Sequence, residues 1–521
     1  MMTRFLRHAR LGLLWISLSL LVNQLEAQHD YKVSRNLIRA GKHQQALEVL
    51  EQRIAKFSKD SEWVYQKAIA LGQLGRVPEA MSHLQRSLAM GVPTGRVASD
   101  SHDLLKSLAA EKAFQAIVQQ HANQPVQGPM VGSVTDSTAR IWLRTARAAT
   151  VRVVLTGTDN KKLQWEGKTT VASDFTTIIP VGPLASDTAY QYQLVVNGEP
   201  VRLPYESRFR TWPKQGSGVK FRFAFGGGAG YVTGHEHMWD TIGKSEPSVL
   251  FMLGDNMYSD DPESSQMQRF CYYRRQSSLS FRKLVARTQV YSIWDDHDFG
   301  TNDCSGGPEI NSPAWKIPVW NVYQQNWANP AYGGGRKQPG CWYDFYAGDI
   351  HFIMLDGRYY RHRKDKTMLG PAQKAWLKKT LLASSGTFKV VASPVPWDYR
   401  TKGDSKDTWN GFKEERTEIF DFLAENKIEG VLLMSADRHR SDAWKIDRPN
   451  GYSLYEFNSS RLTNNHVHKT MKEAIFSYNK KQSFGLVEFD TTVDDPSISY
   501  TVISIDGEKI HNLRLNRSML K

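Results

Sequence analysis

Three short polar clusters hold most of the chemistry available to this sequence, and each follows an apolar run. After SVLFML come Gly254-Asp255-Asn256-Met257-Tyr258. After QVYSI come Trp294-Asp295-Asp296-His297-Asp298-Phe299, then Asn302-Asp303. After GVLLM come Ser435-Ala436-Asp437-Arg438-His439-Arg440-Ser441. A glycine-aspartate pair at a strand end is by itself an ordinary turn. The second cluster is more demanding: four carboxylates and an imidazole within ten residues repel one another unless cations neutralise them. Asp437 and His439, two apart in an extended segment, face the same side and suit a single ion, although a turn with a surface histidine has the same pattern. Three strand ends of this kind can converge on one crevice. Mixed Asp, Asn, Tyr and His ligands suit a two-metal hydrolase, in which cations bridged by a carboxylate acidify a bound water and clamp the oxygens of a displacement at phosphorus. No side-chain nucleophile is then needed, and the sequence has no G-x-S-x-G elbow, no P-loop and no H-E-x-x-H. Trp294 and Phe299 read as core.

The elements that must position these clusters lie between about residues 218 and 521, where VKFRFAFG, SVLFMLGD, QVYSIWDD, IHFIMLDG, FKVVASP and GVLLMSAD alternate with helical stretches near 262–286, 370–384 and 413–426. Continuous apolar strands imply an α/β fold with sheets covered on both faces, and ligand sites lie beyond the carboxyl ends of such strands. Residues 126–212 switch to alternating patterns, as in Val151/Val153/Leu155 and Tyr190/Tyr192/Leu194/Val196, and predict a small β-sandwich; Leu184 to Tyr192 is similar to the tyrosine corner of immunoglobulin-like and fibronectin modules. Residues 30–121 predict helical repeats: Tyr31/Tyr65, Leu37/Leu71, Gly41/Gly75, Ala46/Ala80, Leu50/Leu84 and Ile54/Leu88 are each 34 apart. They resemble tetratricopeptide repeats, with Leu104 to Val118 as a cap, and read either as a packing extension or as a groove for a peptide or protein partner. At the start, Arg4, Arg7 and Arg10 precede apolar Leu11 to Val22 and then Ala27, the order of a secretory signal over residues 1–27, too short to span a bilayer. No later stretch predicts a membrane span.

The chain has 521 residues, 11% aromatic, and a net charge of +14, which suits an anionic partner such as phosphate or sulfate. Its charges are dispersed without a long Lys/Arg run, so specific nucleic-acid binding is not expected. Cys271, Cys304 and Cys341 allow at most one disulfide and do not have zinc-knuckle spacing.

Taken in order, FRFAFGGG, GDNMY, WDDHDFGTND, LDGRYYR at 355–361, LGPAQKAWL at 369–377, SADRHRS and YEFNSSRLT resemble the motifs of the alkaline phosphatase D (PhoD-like) family of metallophosphoesterases, over residues 125–515. The resemblance implies a four-layer α/β/β/α calcineurin-like domain. It also implies a secreted or periplasmic phosphomonoesterase or phosphodiesterase that uses a metal-bound hydroxide, with calcium and iron as cofactors. By position, Asp255 would bridge the metals and Tyr258 would bind iron. Asp296 would hold the second metal, with Asp437 and His439 completing the shell. His297 would act near the leaving group. Asn302, Arg358, Arg438 and Arg440 are the phosphate-binding candidates, because guanidinium suits bidentate anion contacts; Arg358 reads equally as a structural ion pair. One departure stands out. The family carries a serine-cysteine pair after the first strand, and the aligned residues here are Gly227 and Gly228. Loss of a soft thiolate favours oxygen-loving ions, so manganese or magnesium also fit. His235, His237 or Cys304 could substitute, or be surface histidines and a buried thiol. A missing ligand also admits a sulfate-ester hydrolase, or an inert scaffold binding through its repeat and sandwich modules.

Overall fold

The computed structural model describes residues 31–158 and 160–521. The secretory signal expected over residues 1–27 lies outside them. Among the described residues no helix is long and apolar enough to cross a membrane. The described residues divide into two compact units, 31–92 and 93–521.

The first unit is built of paired helices: 31–39, His43–Lys56, Ser61–Gln73 and Val77–Ala89. The 34-residue spacing has a physical counterpart in its turns. Gly41 and Gly75 both adopt left-handed φ, +70° and +74°. At each, the next residue's N–H returns to a leucine carbonyl, Lys42 to Leu37 and Arg76 to Leu71. Glycine ends these helices because left-handed φ has little steric cost for it. Ala46, Ala80, Leu50 and Leu84 are fully buried between the helices.

The expected cap does not stay with this stack. Thr94–Asp100 and Lys112–Gln119 belong to the second unit, where Ala98 packs against Val126 and Ala146. Residues 125–210 form two small antiparallel sheets. One orders Pro125–Gly132, Ala139–Thr145 and Thr176–Val181. The other is built on Lys162–Thr169, Ala149–Thr156 and Ala189–Val196. In the expected tyrosine corner, Tyr190 Oη accepts the Ala185 N–H at 2.9 Å. This β unit is joined to the rest by buried polar contacts: Gln127 Nε2 donates to Tyr273 O, Trp142 Nε1 to Gln325 O, Tyr192 Oη to Ala286 O, and Val134 N to Tyr291 Oη.

The remainder is two facing sheets. In the first, Gln289–Ile293, Val249–Leu253 and Lys220–Gly226 run parallel and continue into antiparallel Ser483–Asp490, Ser497–Ser504 and Lys509–Asn516. In the second, Ile350–Met354, Phe388–Ala392, Val431–Ser435 and Leu454–Ser459 run parallel, flanked by antiparallel neighbours. The sheets meet through aromatic rings: Phe251 and Phe352 at 4.9 Å, Phe388 and Phe489 at 5.2 Å, and Phe457 stacked on Tyr500 at 4.4 Å. Gly370–Ala383 and Lys413–Glu425 cover the second sheet, placing Leu377, Leu381, Ile419 and Leu423 over Ile353, Val391 and Leu433. The central strands are buried on both faces, which is why they read as unbroken apolar runs. Cys271, Cys304 and Cys341 form no disulfide. Trp294 and Phe299 are core, both fully buried.

Candidate metal centre

The parallel strands of both sheets end at one place, and the three polar clusters meet there. Ligand atoms of Asp255, Asp296 and His297 all lie within 4.8 Å of one another, and those of Asp296, Asp303 and Asp407 form a second such group. The backbone is bent to achieve this. Asp255, Tyr258, Asp260, Asp437 and His439 all have left-handed φ, between 41° and 66°. For residues other than glycine this conformation is costly, and it persists only where the surroundings enforce it. Part of the enforcement is visible: Asp298 accepts the N–H groups of Asn256 and Met257 at 2.9 and 2.8 Å, pinning the GDNMY loop to the neighbouring strand end.

The site fits cations, because its buried acceptors lack protein partners. Asp255 Oδ2 accepts the Tyr258 hydroxyl at 2.9 Å, while its Oδ1 is buried with no partner. His439 Nδ1 is likewise buried and unpartnered. Unpaired buried acceptors cost stability unless something unseen satisfies them. Burial, reinforced by the carboxylates of Asp296, Asp295 and Asp298 against the opposing His297, pushes the Asp255 carboxyl well above its usual range. Burial and the Asp255 carboxylate keep the Tyr258 phenol protonated. Burial, then the neighbouring His468 and His466, holds His439 well below the usual imidazole range, which makes it a neutral nitrogen donor. Asp255, Asp296, His297, Asp303 and Asp407 carry the grouped ligand atoms, and Tyr258 joins them through its bond to Asp255 Oδ2.

His297 stacks on Tyr258 at 4.7 Å, and its Nδ1 donates to Asp260 Oδ1 at 2.6 Å. Burial opposes its charged form, but Asp296, Asp255 and Asp260 outweigh that and raise its pKa well above the ordinary value. Asp260 fixes the ring and its tautomer, so Nε2 is the atom left for chemistry.

The phosphate-contact candidates divide sharply. Arg358 is fully buried and wholly engaged: Nε on Asp295 at 2.5 Å, Nη1 and Nη2 on the two oxygens of Asp407 at 2.7 and 2.9 Å, and Nη1 also on Cys304 O. Arg440 is held by Asp442 and Thr401 O. Both are structural, which corrects the expectation for them. Asn302 lies exposed on a turn, and the next residue, Asp303, donates its backbone N–H to Asp296 Oδ2 at 2.6 Å. Arg438 is the arginine left for an anion, with Asp437 4.0 Å away and its Nε buried without a partner. Lys402, which sequence reasoning missed, places Nζ 3.3 Å from Asp437 Oδ2 and 3.7 Å from Asp407 Oδ2.

Gly228 has φ +64°, and a Cβ there would lie 2.9 Å from Arg461 N and 3.3 Å from His439 Nδ1. A cysteine could enter only if the backbone moved. His235 and His237 place their Nδ1 atoms against Thr463 O at 2.8 Å and Gly234 O at 3.1 Å. Cys304 Sγ faces Asp296 O at 3.7 Å, and burial pushes its thiol up to about 12.

A family model described as PhoD-like phosphatase matches residues 223–505, and a domain of unknown function, DUF7800, matches 123–214. Alkaline phosphatase D of Bacillus subtilis (strain 168) is 22% identical over 306 residues, which is 50% of this chain and 52% of that protein. Purple acid phosphatase 23 of Arabidopsis thaliana is 27% identical over 225 residues, 41% of this chain and 45% of that protein. The chain spans about half the length of the curated relatives it matches. A solved structure of PhoD superposes with a TM-score of 0.64 at 16% identity, covering 75% of this chain and 90% of that one. Purple acid phosphatase PPD1 from yellow lupin (Lupinus luteus) gives 0.56 at 12%, with 75% of each chain covered. At these identities the structural likeness speaks for the fold. With more than half of its length matched by the family model, the chain belongs to the PhoD-like phosphatase family.

Proposed function

We propose that this protein is an extracytoplasmic, metal-dependent phosphoesterase acting on phosphate mono- or diesters. The observation that carries the reading is the convergence of Asp255, Asp296 and His297 within 4.8 Å beside two buried acceptors, Asp255 Oδ1 and His439 Nδ1, that no protein group satisfies. Bound cations would supply Lewis acidity, acidifying a water and neutralising the phosphoryl oxygens. The chain's own residues do the rest. Asp296, common to the two ligand groups, can face two cations at once, with Asp255 beside it. Arg438 and Lys402, flanking Asp437, supply positive charge for non-bridging phosphate oxygens. His297, fixed by Asp260, presents Nε2 to give a proton to the departing alkoxide. The placement outside the cytoplasm rests on the charged-then-apolar order of residues 4–27. The test is hydrolysis of bis-p-nitrophenyl phosphate and p-nitrophenyl phosphate beside the matching sulfate ester. Phosphate-ester turnover abolished by chelation and restored by metal supports the reading; sulfate turnover alone, or none, refutes it.

A further inference from the structure

We propose that Lys316 is a positioning residue of this centre: its buried ammonium holds the 303–309 loop so that Asp303 stands beside Asp296 and Asp407; the inference rests on the metal-centre reading above. Lys316 opens the helix Lys316–Asn326 and is fully buried. Both circumstances disfavour a cation, since a helix N-terminus is the positive end of its dipole and burial removes water from the charge. Burial accordingly draws its pKa down to about 8. What holds the ammonium is the backbone of the preceding loop. Nζ donates to Gly306 O at 3.2 Å, Gly307 O at 3.1 Å and Glu309 O at 2.5 Å, which uses all three of its hydrogens. It also stands over the rings of Tyr359 and Tyr360, at 4.2 and 5.2 Å.

The segment so held leads straight into the centre. Gly306 N donates to Arg358 O and Gly307 N to Arg361 O, both at 3.0 Å, and Tyr359 Oη donates to Ile310 O at 2.9 Å. A Cβ at Gly306 would lie 2.2 Å from Tyr359 O, so the loop packs backbone to backbone on the segment that carries Arg358. Two residues earlier, Cys304 O accepts Arg358 Nη1 at 3.2 Å. Asp303 has φ +57°, a costly conformation for a residue other than glycine. It donates its N–H to Asp296 Oδ2 at 2.6 Å and brings its carboxylate within 4.8 Å of those of Asp296 and Asp407. Residues 301–315 contain no helix or strand, so no regular ladder of hydrogen bonds fixes Asp303. The fixing contacts are those just given, and Lys316 supplies three of them. None of the three is to a grouped ligand atom, so the effect of Lys316 on the ligands passes through Asp303.

The experiment compares the full-length protein, Lys316→Met, Asp303→Asn and the double variant, each stripped by chelation and titrated calorimetrically with manganese, with phosphate-ester turnover measured on the same samples. Circular dichroism verifies folding, and Lys316→Gln, which keeps two donors, serves as a milder second variant. Expected are two manganese ions in the parent and, in Lys316→Met, one of them weakened by about tenfold or more, with kcat falling in step and the other ion held within about twofold. Asp303→Asn should weaken the same ion, and the double variant should lose no more than the worse of the two single variants, because both act on one contact. A lysine that only stabilises the fold would lower the melting temperature while both manganese affinities and the turnover of folded protein stayed within about twofold; that result would overturn the inference, as would losses that add in the double variant. A parent that binds fewer than two manganese ions would instead refute the reading of the centre itself.

Discussion

The two sides of the polar crevice are built on opposite principles. On one, Arg358 is held by Asp295, Asp407 and a carbonyl, and its Nη2 also reaches Asp296 Oδ1 at 3.5 Å, so its charge is met within the protein. On the other, Asp255 Oδ1 and His439 Nδ1 are buried with nothing opposite them. Both sides are rich in charge and closed to solvent, so neither composition nor burial separates them. What separates them is that a guanidinium holds the carboxylates of the first, even though Asp295 Oδ2 keeps no partner, whereas no protein group meets Asp255 Oδ1 or His439 Nδ1 on the second. The completed side is scaffold, and the incomplete side is where cations and a substrate are wanted.

The largest test of that contrast is Arg358→Ala in metal-free protein. It leaves Asp295 and Asp407 buried without their cation, and should destabilise the second unit by about 3–5 kcal/mol in urea unfolding. A loss below 1 kcal/mol would break the comparison. Asp255→Asn should do the reverse: activity falls about 10²–10³-fold in kcat/KM, the scale of losing one preorganised electrostatic contact, while metal-free stability is unchanged or higher because an unpaired buried acid is gone. A stability loss like that of Arg358→Ala would erase the distinction.

A third test uses a buried acid outside the crevice. Glu456 accepts Trp397 N, Asp398 N and Ser435 Oγ, yet burial lifts its carboxyl to about 7. A folded-state pKa above the unfolded one gives stability that is complete below the unfolded value and lost as pH rises. Between pH 4.5 and 7.5 the metal-free protein should therefore lose roughly 2–3 kcal/mol through this group. Glu456→Gln should flatten that slope in denaturation midpoints measured across pH. The smallest effect is expected of Cys304→Ser. With its thiol held near 12, metal content should stay within about twofold of the parent; a larger loss would mean that Cys304 is a ligand after all.

Much of the centre was legible in the sequence, because the strands that deliver it are unbroken apolar runs whose ends announce themselves. Asp255, Tyr258, Asp296, His297, Asp437 and His439 each directly follow such an end. What escaped lies in segments without periodicity. Lys402 and Asp407 come from a loop between strand and helix, and Asn464, which donates to Tyr258 Oη, from another. No local pattern says that Asp407 will meet Arg358, 49 residues away in the chain. That is why Arg358 and Arg440 read as substrate contacts: an arginine near a motif looks identical in sequence whether or not a carboxylate has claimed it. Asp260 was missed for a similar reason, since only the bend at φ 51° returns it to His297. Among the helices, the repeated glycines mark the turns, but nothing in the period says that residues after 92 leave the stack.

The β unit packed against the crevice domain bears on where this protein can be cut. The family match begins at residue 223, whereas the compact unit begins at 93. A fragment started at the inherited border would strip Tyr273 O, Ala286 O and Gln325 O of their donors and open a face the intact molecule never shows to water. Ancestry and cooperativity have drawn different lines through the same chain. For expression, truncation or grafting, the second is the one to follow.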